Sequence, residues 1–288
     1  MSPKTTQFAD ILKTVKDVPA LPEVYHRLME TLNSPMSTAE QVSDVIGTDT
    51  GITSKVLKLV NSAFYGFPSQ ITSITRAVVI LGFNEVRNMV IATSVIGSFM
   101  NFKDGRREQA RELWKHSLGV AIFSRQLGRK VGLSDSEVED IFVAGLLHDI
   151  GKLVHLSALP KEFEIITRRS QEEDLHYTII EKQQLGSDHT FTARLLLKNW
   201  KLPPQLRFIV SRHHQPRVEN RLKRSVAVVH IADALAHFYK FADLGFKRIP
   251  RIDKKVFDAL RLTTDDIASL EEDTRNQIAE MCKILEIS

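Results

Sequence analysis

Apolar side chains recur at helical spacing from residue 21 almost to the end of this chain, and no segment shows the two-residue alternation of a half-buried strand. A chain so patterned can bury its apolar stripes only by packing helix on helix, so the fold class is all-α. The 13 glycines and 10 prolines fall at intervals rather than in clusters. That suits helices joined by short loops and not a sandwich with its frequent turns. At 288 residues the chain is long enough for one large core or two modest ones.

The first hundred residues predict five compact helices. Leu21, Val24, Tyr25, Leu28 and Leu32 form the first stripe, with Pro22 in its first turn. Ser37 or Thr38 caps the second, which turns Val42, Val45 and Ile46 inward. A third runs through Ile52, Val56, Leu59, Val60 and Ala63 and is stopped by Gly66-Phe67-Pro68. Ile74 to Leu81 makes a fourth, closed by Gly82, and Asn84 caps a fifth that reaches Phe99. The polar stretch Asn101 to Arg107 marks a domain junction, giving a helical bundle over 1–104 and a second helical domain over 105–288. The second domain is expected to hold helices at 110–128, 137–157, 188–200, 206–213 and 225–241, then a C-terminal pair at 254–260 and 265–285. Ser134 and Glu137 form a capping box ahead of the second of these.

Composition removes several classes of function. One cysteine, Cys282, excludes an intrachain disulfide and any cysteine-only metal site. The opening MSPKTTQFADIL has no apolar run behind a basic start, so no secretory signal is expected. Apolar stretches such as AVVILGF and MVIATSVIGSF fall short of the roughly 20 residues of a membrane span. The expectation is a soluble cytoplasmic protein without a membrane partner. Net charge is +4, and the basic cluster Arg217, Arg221, Lys223 and Arg224 lacks interleaved stacking aromatics, so nucleic acid is not expected as the primary partner.

The histidines carry the chemistry. His116, the adjacent pair His148-Asp149, His189, the pair His213-His214, and Asp233 all lie between residues 115 and 234. Several sit in apolar company: His116 precedes Leu118, Val120 and Ile122, His148-Asp149 lies inside VAGLLHDIGKLVHL, and Asp233 inside VVHIADALA. Polar groups in such surroundings need partners, because burying one unpaired costs about 1–3 kcal/mol and an ion more. Imidazole nitrogens with carboxylate oxygens suit a divalent transition metal, Fe, Mn, Ni, Co or Zn. Adjacent residues diverge by about 100° on an ideal helix, so His148 and Asp149 cannot both face one ion from a uniform helix face. Further ligands must reach in from other helices, His116 from before and Asp233 from after. Asp149 can also bridge two ions, with His189, His213 and His214 completing the second position.

The ordered elements HDIGK, a histidine 32 residues upstream, a following HH pair and a helix-borne aspartate resemble the HD-domain metal-dependent phosphohydrolases. The phrases PALPEVYHRLMETL, IGTDTGITSKVLKLVNSAFYG, ITSITRAVVILGFNEVRNMVI and DHTFTARLLLKNWKLPPQL resemble the HDOD subgroup, bacterial regulatory modules related to HD and HD-GYP enzymes. The resemblance implies an N-terminal helical bundle packed on an HD-like bundle. It implies a first metal at His116, His148, Asp149 and Asp233, a second helped by His189, His213 and His214, and a phosphate contact from Lys152. The GYP-type segment of HD-GYP enzymes is missing, since HHQPRVENRLKRS follows the pair, and the usual Asp-Pro of the HDOD helix start reads Asp49-Thr50. The expected function is therefore a signalling or regulatory module with a retained metal site of one or two ions, acting through a signalling protein partner or a nucleotide or phosphate ligand. The alternative is a metal-dependent phosphohydrolase in which Asp149 and Lys152 serve catalysis.

Other residues draw plainer expectations. His155, His230 and His237 read as packing or surface histidines, although His230 shares a helical face with Asp233 and could support it. Lys152, after Gly151, either binds a phosphate oxygen or lies at a cleft rim. Trp114 and Trp200 read as core anchors. Asn61 and Ser62, at a helix end, either tie the N-terminal bundle to the HD-like half or mark a partner surface.

Overall fold

The computed structural model of the protein describes residues 18, 20–99, 105–173, 175–217, 219–245 and 248–287. Among these there are sixteen helices and no strand, so the all-α expectation is met. Residues 101–104 of the expected junction lie outside the described residues. The chain divides into two compact units: the described part of one is 20–99 with 275–287, and of the other residue 18 and the described residues between 105 and 274.

The first unit holds α1 (Glu23–Leu32), α2 (Ala39–Gly47), α3 (Thr50–Val60), α4 (Ile74–Leu81) and α5 (Phe83–Phe99). Pro22 stands just ahead of α1 as its N-cap rather than within it. Thr38, not Ser37, caps α2, in a reciprocal capping box with Gln41. Asp49 accepts the Ile52 N–H at 2.9 Å, so the cap of α3 is made without a proline at the next position. Asn61 resolves its two readings: its amide donates to the carbonyls of Leu57 and Ile71, both at 2.8 Å, and its oxygen accepts the Ile71 N–H at 2.7 Å. It pins the loop after α3 onto α3's own end, within the first unit.

The C-terminal segment departs from the expected domain division. The helix α16 (Glu271–Ile284) begins in the second unit, yet residues 275–287 belong with the first. The Ala63 N–H donates to Glu280 at 2.9 Å, Lys55 pairs with Glu286 at 3.0 Å, and Met281, Leu285 and Ile287 are buried. Sequence periodicity predicts that such a helix exists but carries no information about which core receives it.

The second unit contains α6 (Arg106–Lys130), α7 (Asp135–Leu147), α8 (Ile150–Ala158), α9 (Pro160–Glu172), α10 (Tyr177–Leu185), α11 (His189–Asn199), α12 (Pro204–Arg212), α13 (Arg221–Phe238), α14 (Lys254–Ala259) and α15 (Thr264–Ala268). Two of these, α9 and α10, have no counterpart among the expected helices; α9 buries only Phe163, Ile166 and Ser170, too thin a stripe to stand out in KEFEIITRRSQE. The helix expected over 137–157 is two helices, broken at His148 and Asp149. The apolar stretch Asp135–Ala158 matches a membrane span by length and composition, but 89% of its apolar window is buried within the protein.

The core of this unit is the pairing of α6 with α7. Trp114, Leu118 and Phe123 are fully buried on α6, and an Arg125–Glu139 ion pair at 2.9 Å is enclosed between the two helices. Gly145 lets the backbones meet: a Cβ there would stand 2.8 Å from the Ala121 Cα and 2.9 Å from its nitrogen. Gly97 on α5 is the contrast, since a Cβ added there would meet no atom within 4 Å. Gly145→Ala is expected to destabilise the protein by about 1–3 kcal/mol through overpacking, despite alanine's gain of about 1 kcal/mol in helix propensity. Gly97→Ala should be neutral or stabilising by up to about 1 kcal/mol. Urea denaturation of both variants checks the pair.

Candidate metal centre

Six helices of the second unit bring polar side chains to one buried place. His116 projects from the middle of α6, and Asp233 and His237 lie one turn apart on α13. His148 and Asp149 occupy the break between α7 and α8, where Asp149 leaves helical geometry at φ −101°, ψ 12°. This break removes the difficulty of two adjacent ligands on one uniform helix. Asp149 precedes α8 as its N-cap but makes no side-chain cap bond, because its carboxylate is turned into the cluster. His189 opens α11, and His213 follows the last residue of α12, with His214 next. Gly151 allows α8 to meet α11, since a Cβ there would overlap the His189 carbonyl oxygen and lie 3.0 Å from its Cα.

Asp149 stands between two groups of histidines. Its Oδ2 is 3.3 Å from His148 Nε2 and 3.9 Å from His116 Nε2, while its Oδ1 is 3.2 Å from His189 Nε2. Asp233 Oδ1 lies 3.1 Å from His116 Nε2, 3.6 Å from His148 Nε2 and 3.4 Å from His237 Nε2. His214 Nε2 faces His189 Nε2 at 3.2 Å, with His213 beside both. Donor atoms fall within 4.8 Å of one another in four overlapping sets: His116-His148-Asp149, His148-His213-Asp233, His116-Asp233-His237 and His189-His213-His214. All seven residues singled out from the sequence as ligands are thus brought together.

The outer nitrogens of the rings set their tautomers. His148 Nδ1–H donates to the Gly145 carbonyl at 2.7 Å, and His213 Nδ1–H to the Val210 carbonyl at 2.8 Å. His189 Nδ1–H donates to Glu181 at 2.6 Å, and the same carboxylate accepts the His189 backbone N–H at 3.2 Å. Each of these rings therefore turns its Nε2 inward, as metal-ligating histidines do. His148 Nε2, His213 Nε2 and Asp149 Oδ1 are buried with no hydrogen-bond partner. Leaving such atoms unsatisfied costs about 1–3 kcal/mol each. A divalent cation would satisfy all three, so the residues present fit a metal; His116, His148, Asp149 and Asp233 could hold one ion and His189, His213 and His214 a second, with Asp149 shared.

Electrostatics point the same way. Burial alone would raise the Asp149 carboxyl, but His148, Lys152 and His189 hold it well below the usual carboxylate range. Asp233 is held low against its own burial by His116 and His148. Burial depresses His213 and His237 to about 3, helped by neighbouring imidazoles. His148 goes the other way: burial opposes its charge, yet Asp149 and Asp233 push it up to about 10. Without a cation, that proton and the Lys152 ammonium face the two carboxylates. A metal at His148 Nε2 must displace the proton.

Several expectations change on contact with the structure. Lys152 is buried, with its ammonium 2.7 Å from Asp149 Oδ2 and 4.8 Å above the Tyr177 ring, not at a cleft rim. His230 does not support Asp233; its Nδ1 is 2.9 Å from the His213 carbonyl and its Nε2 3.0 Å from the Arg251 carbonyl, so it braces the loop that carries His213. His237, expected as a packing residue, lies at the cluster. Glu181 is absent from the sequence-based set: it sits on α10, where it orients His189 and lies 3.4 Å from His155 Nδ1. His189 and His155 draw its carboxyl down to about 2 against burial. Its only sequence signal is a carboxylate beside Ile179-Ile180, eight residues before His189.

Fold and cluster together define an all-helical histidine–aspartate domain. The HDOD domain family model matches residues 18–216, and the chain belongs to that family. Among solved structures, an HDOD domain protein of unknown function from Geobacter sulfurreducens is 24% identical, with a TM-score of 0.79 and 98% of each chain covered. A Shewanella amazonensis SB2B protein provisionally named a phosphohydrolase is 24% identical, with a TM-score of 0.75, 96% of this chain covered and 98% of that one. A Marinobacter aquaeolei VT8 protein provisionally named a signal transduction protein is 18% identical, with a TM-score of 0.71, covering 99% of this chain and 66% of its own. An uncharacterized protein of Treponema pallidum (strain Nichols) is 24% identical over 250 residues, 86% of this chain and 48% of that protein. The chain spans less than half the length of the curated relatives it matches.

Because His148 holds its proton up to about 10, metal uptake near neutrality is expected to release about one proton per ion at the Asp149–Asp233 position. Affinity should then rise about tenfold per pH unit below that value and weaken as pH falls. Calorimetric titration of Mn²⁺ in buffers of different ionisation enthalpy measures the proton count; zero protons released counts against this assignment of His148.

Proposed function

We propose that the protein is a regulatory HDOD module whose histidine–aspartate centre holds one or two divalent transition-metal ions to shape the domain, and that it acts through a signalling protein partner. The observation that carries this reading is the enclosure of the centre. His116, His148, Asp149, His189, His213 and Asp233 are all buried to 2% exposure or less, and Lys152 to 4%. The Lys152 ammonium, the group suited to meet a substrate phosphate, is instead engaged by the Asp149 carboxylate. A metal so enclosed orders the ends of α7, α8, α11 and α12, and that is a structural use. The name of the Marinobacter relative supports the same direction.

A second reading, metal-dependent phosphohydrolase, draws on the complete ligand set and on the Asp149 carboxylate divided between two histidine groups. Bound metal would lower the pKa of a water and polarise a phosphoryl oxygen. Asp149 would position the ions, and Lys152 would have to leave Asp149 to steady a phosphate oxygen. The names of two Shewanella relatives point this way.

Purified protein is expected to contain metal, and its removal by chelator should lower the unfolding temperature. Binding to the folded state alone stabilises by about 2.7 kcal/mol when the free ligand is at a hundred times its Kd. A panel of nucleotides, cyclic dinucleotides and phosphomonoesters with Mn²⁺ or Fe²⁺ should show no hydrolysis above an Asp149→Ala control. Turnover that vanishes in Asp149→Ala replaces the regulatory reading with the enzymatic one.

A further inference from the structure

Along the outer faces of α11 and α12, one recess of the second unit gathers arginines with no carboxylate in its lining. Its volume is about 400 Å³, and Phe191, Arg194, Arg207, Phe208 and Arg212 are among the residues that form it. A smaller recess of about 240 Å³ shares Phe208 and Arg212 and adds Arg217 and Lys223. The last two already face Glu219, at 3.8 and 3.5 Å. The other three cations are different. Among the described residues no carboxylate lies within ion-pair distance of Arg194, Arg207 or Arg212. Arg212 donates only to the neutral Gln215 amide at 2.6 Å, Arg194 lies 5.0 Å above the Phe191 ring, and the Nε of Arg207 is buried without a hydrogen-bond partner.

Surface arginines ordinarily find carboxylates or open water. Three guanidinium groups lining one recess repel one another, and each presents a planar fork matched to phosphate oxygens. Beside them Phe208 is 36% exposed, which leaves ring surface for a flat apolar group. A volume in the range of roughly 300–1,000 Å³ suits a small organic ligand rather than a lone ion. We propose that this recess binds a polyphosphorylated nucleotide, with Arg194, Arg207 and Arg212 on the phosphates and Phe208 against the base.

The recess is built on the same two helices that deliver donors to the buried centre. Thr190, in its lining, follows His189, and Arg212 precedes His213. A ligand that draws α11 and α12 together therefore acts on the second histidine group directly. This coupling rests on the regulatory reading above; the binding itself does not.

The test is calorimetric titration of the full chain, as purified, with ATP, ADP and inorganic pyrophosphate at low and high salt. ATP is expected to bind more tightly than pyrophosphate, and its affinity should fall as salt is added. Arg207→Glu, and separately Arg194→Ala with Arg212→Ala, should each weaken ATP binding at least tenfold, with circular dichroism confirming the fold. Arg129→Glu, an equal change of charge at an exposed position on α6, should leave it within twofold. ATP affinity unchanged in the recess variants overturns the proposal, as does pyrophosphate binding as tightly as ATP. A single-stranded oligonucleotide that outcompetes ATP tenfold also overturns it in favour of a nucleic-acid surface. Phosphate release that depends on Asp149 would sink the regulatory reading alone, because the recess is decided by the arginine variants.

Discussion

The buried polar cluster of the second unit is arranged around two carboxylates almost closed to solvent. Asp149 and Asp233 are 1% and 2% exposed, and an isolated buried carboxylate costs several kcal/mol even after the protein relaxes. The unit answers with cations and potential cation ligands from five helices, His116, His148, Lys152, His189 and His237 among them. The local backbone yields to this requirement. Asp149 forgoes a helix cap and the chain breaks between α7 and α8, so that neighbouring side chains can face the same point.

The outer atoms of the cluster matter as much as the inner ones. The Gly145 and Val210 carbonyls and the Glu181 carboxylate accept the Nδ1–H hydrogen bonds, which turns three Nε2 atoms toward one interior volume. His230 extends the same logic by a further layer, bracing the His213 carbonyl from α13. Three of the rings, His148, His189 and His213, are thus held from behind. Lys152 folds onto Asp149 within the cluster, while His214 and His237 at its edge are only partly buried. The arginine-lined recess lies on the outward side of α11 and α12, so the helices that close the centre also present a surface to ligands.

How much of the site is legible in the sequence depends on whether the signal is local. His116, His148, Asp149 and Asp233 stand out because polar groups in apolar runs are anomalous wherever they occur, whereas His189, His213 and His214 stand in polar sequence and are singled out as further donors by the HD-type resemblance. His237 shares a helical face with Asp233, yet i,i+4 spacing does not distinguish a packed histidine from one aimed at a carboxylate. Glu181 is hidden because α10 itself is; a nine-residue helix with three buried apolar positions leaves little periodicity to detect. Gly151-Lys152 suggests a loop end and a lysine at a rim, whereas the packing of Gly151 on the His189 carbonyl draws the lysine inside.

Residue order alone settles that this chain is helical, where most of its helices run, and which imidazoles and carboxylates stand in apolar runs and need partners. Those conclusions follow from periodicity and from the cost of burying polar atoms, and both are properties of short stretches of chain. Only the folded molecule decides that the long helix breaks at His148-Asp149, that residues 275–287 join the first unit, that Asp149 divides its oxygens between two histidine groups, and that Lys152 turns inward. Each of these depends on atoms far apart in sequence competing for the same interior space, and that competition is resolved by packing rather than by any local preference.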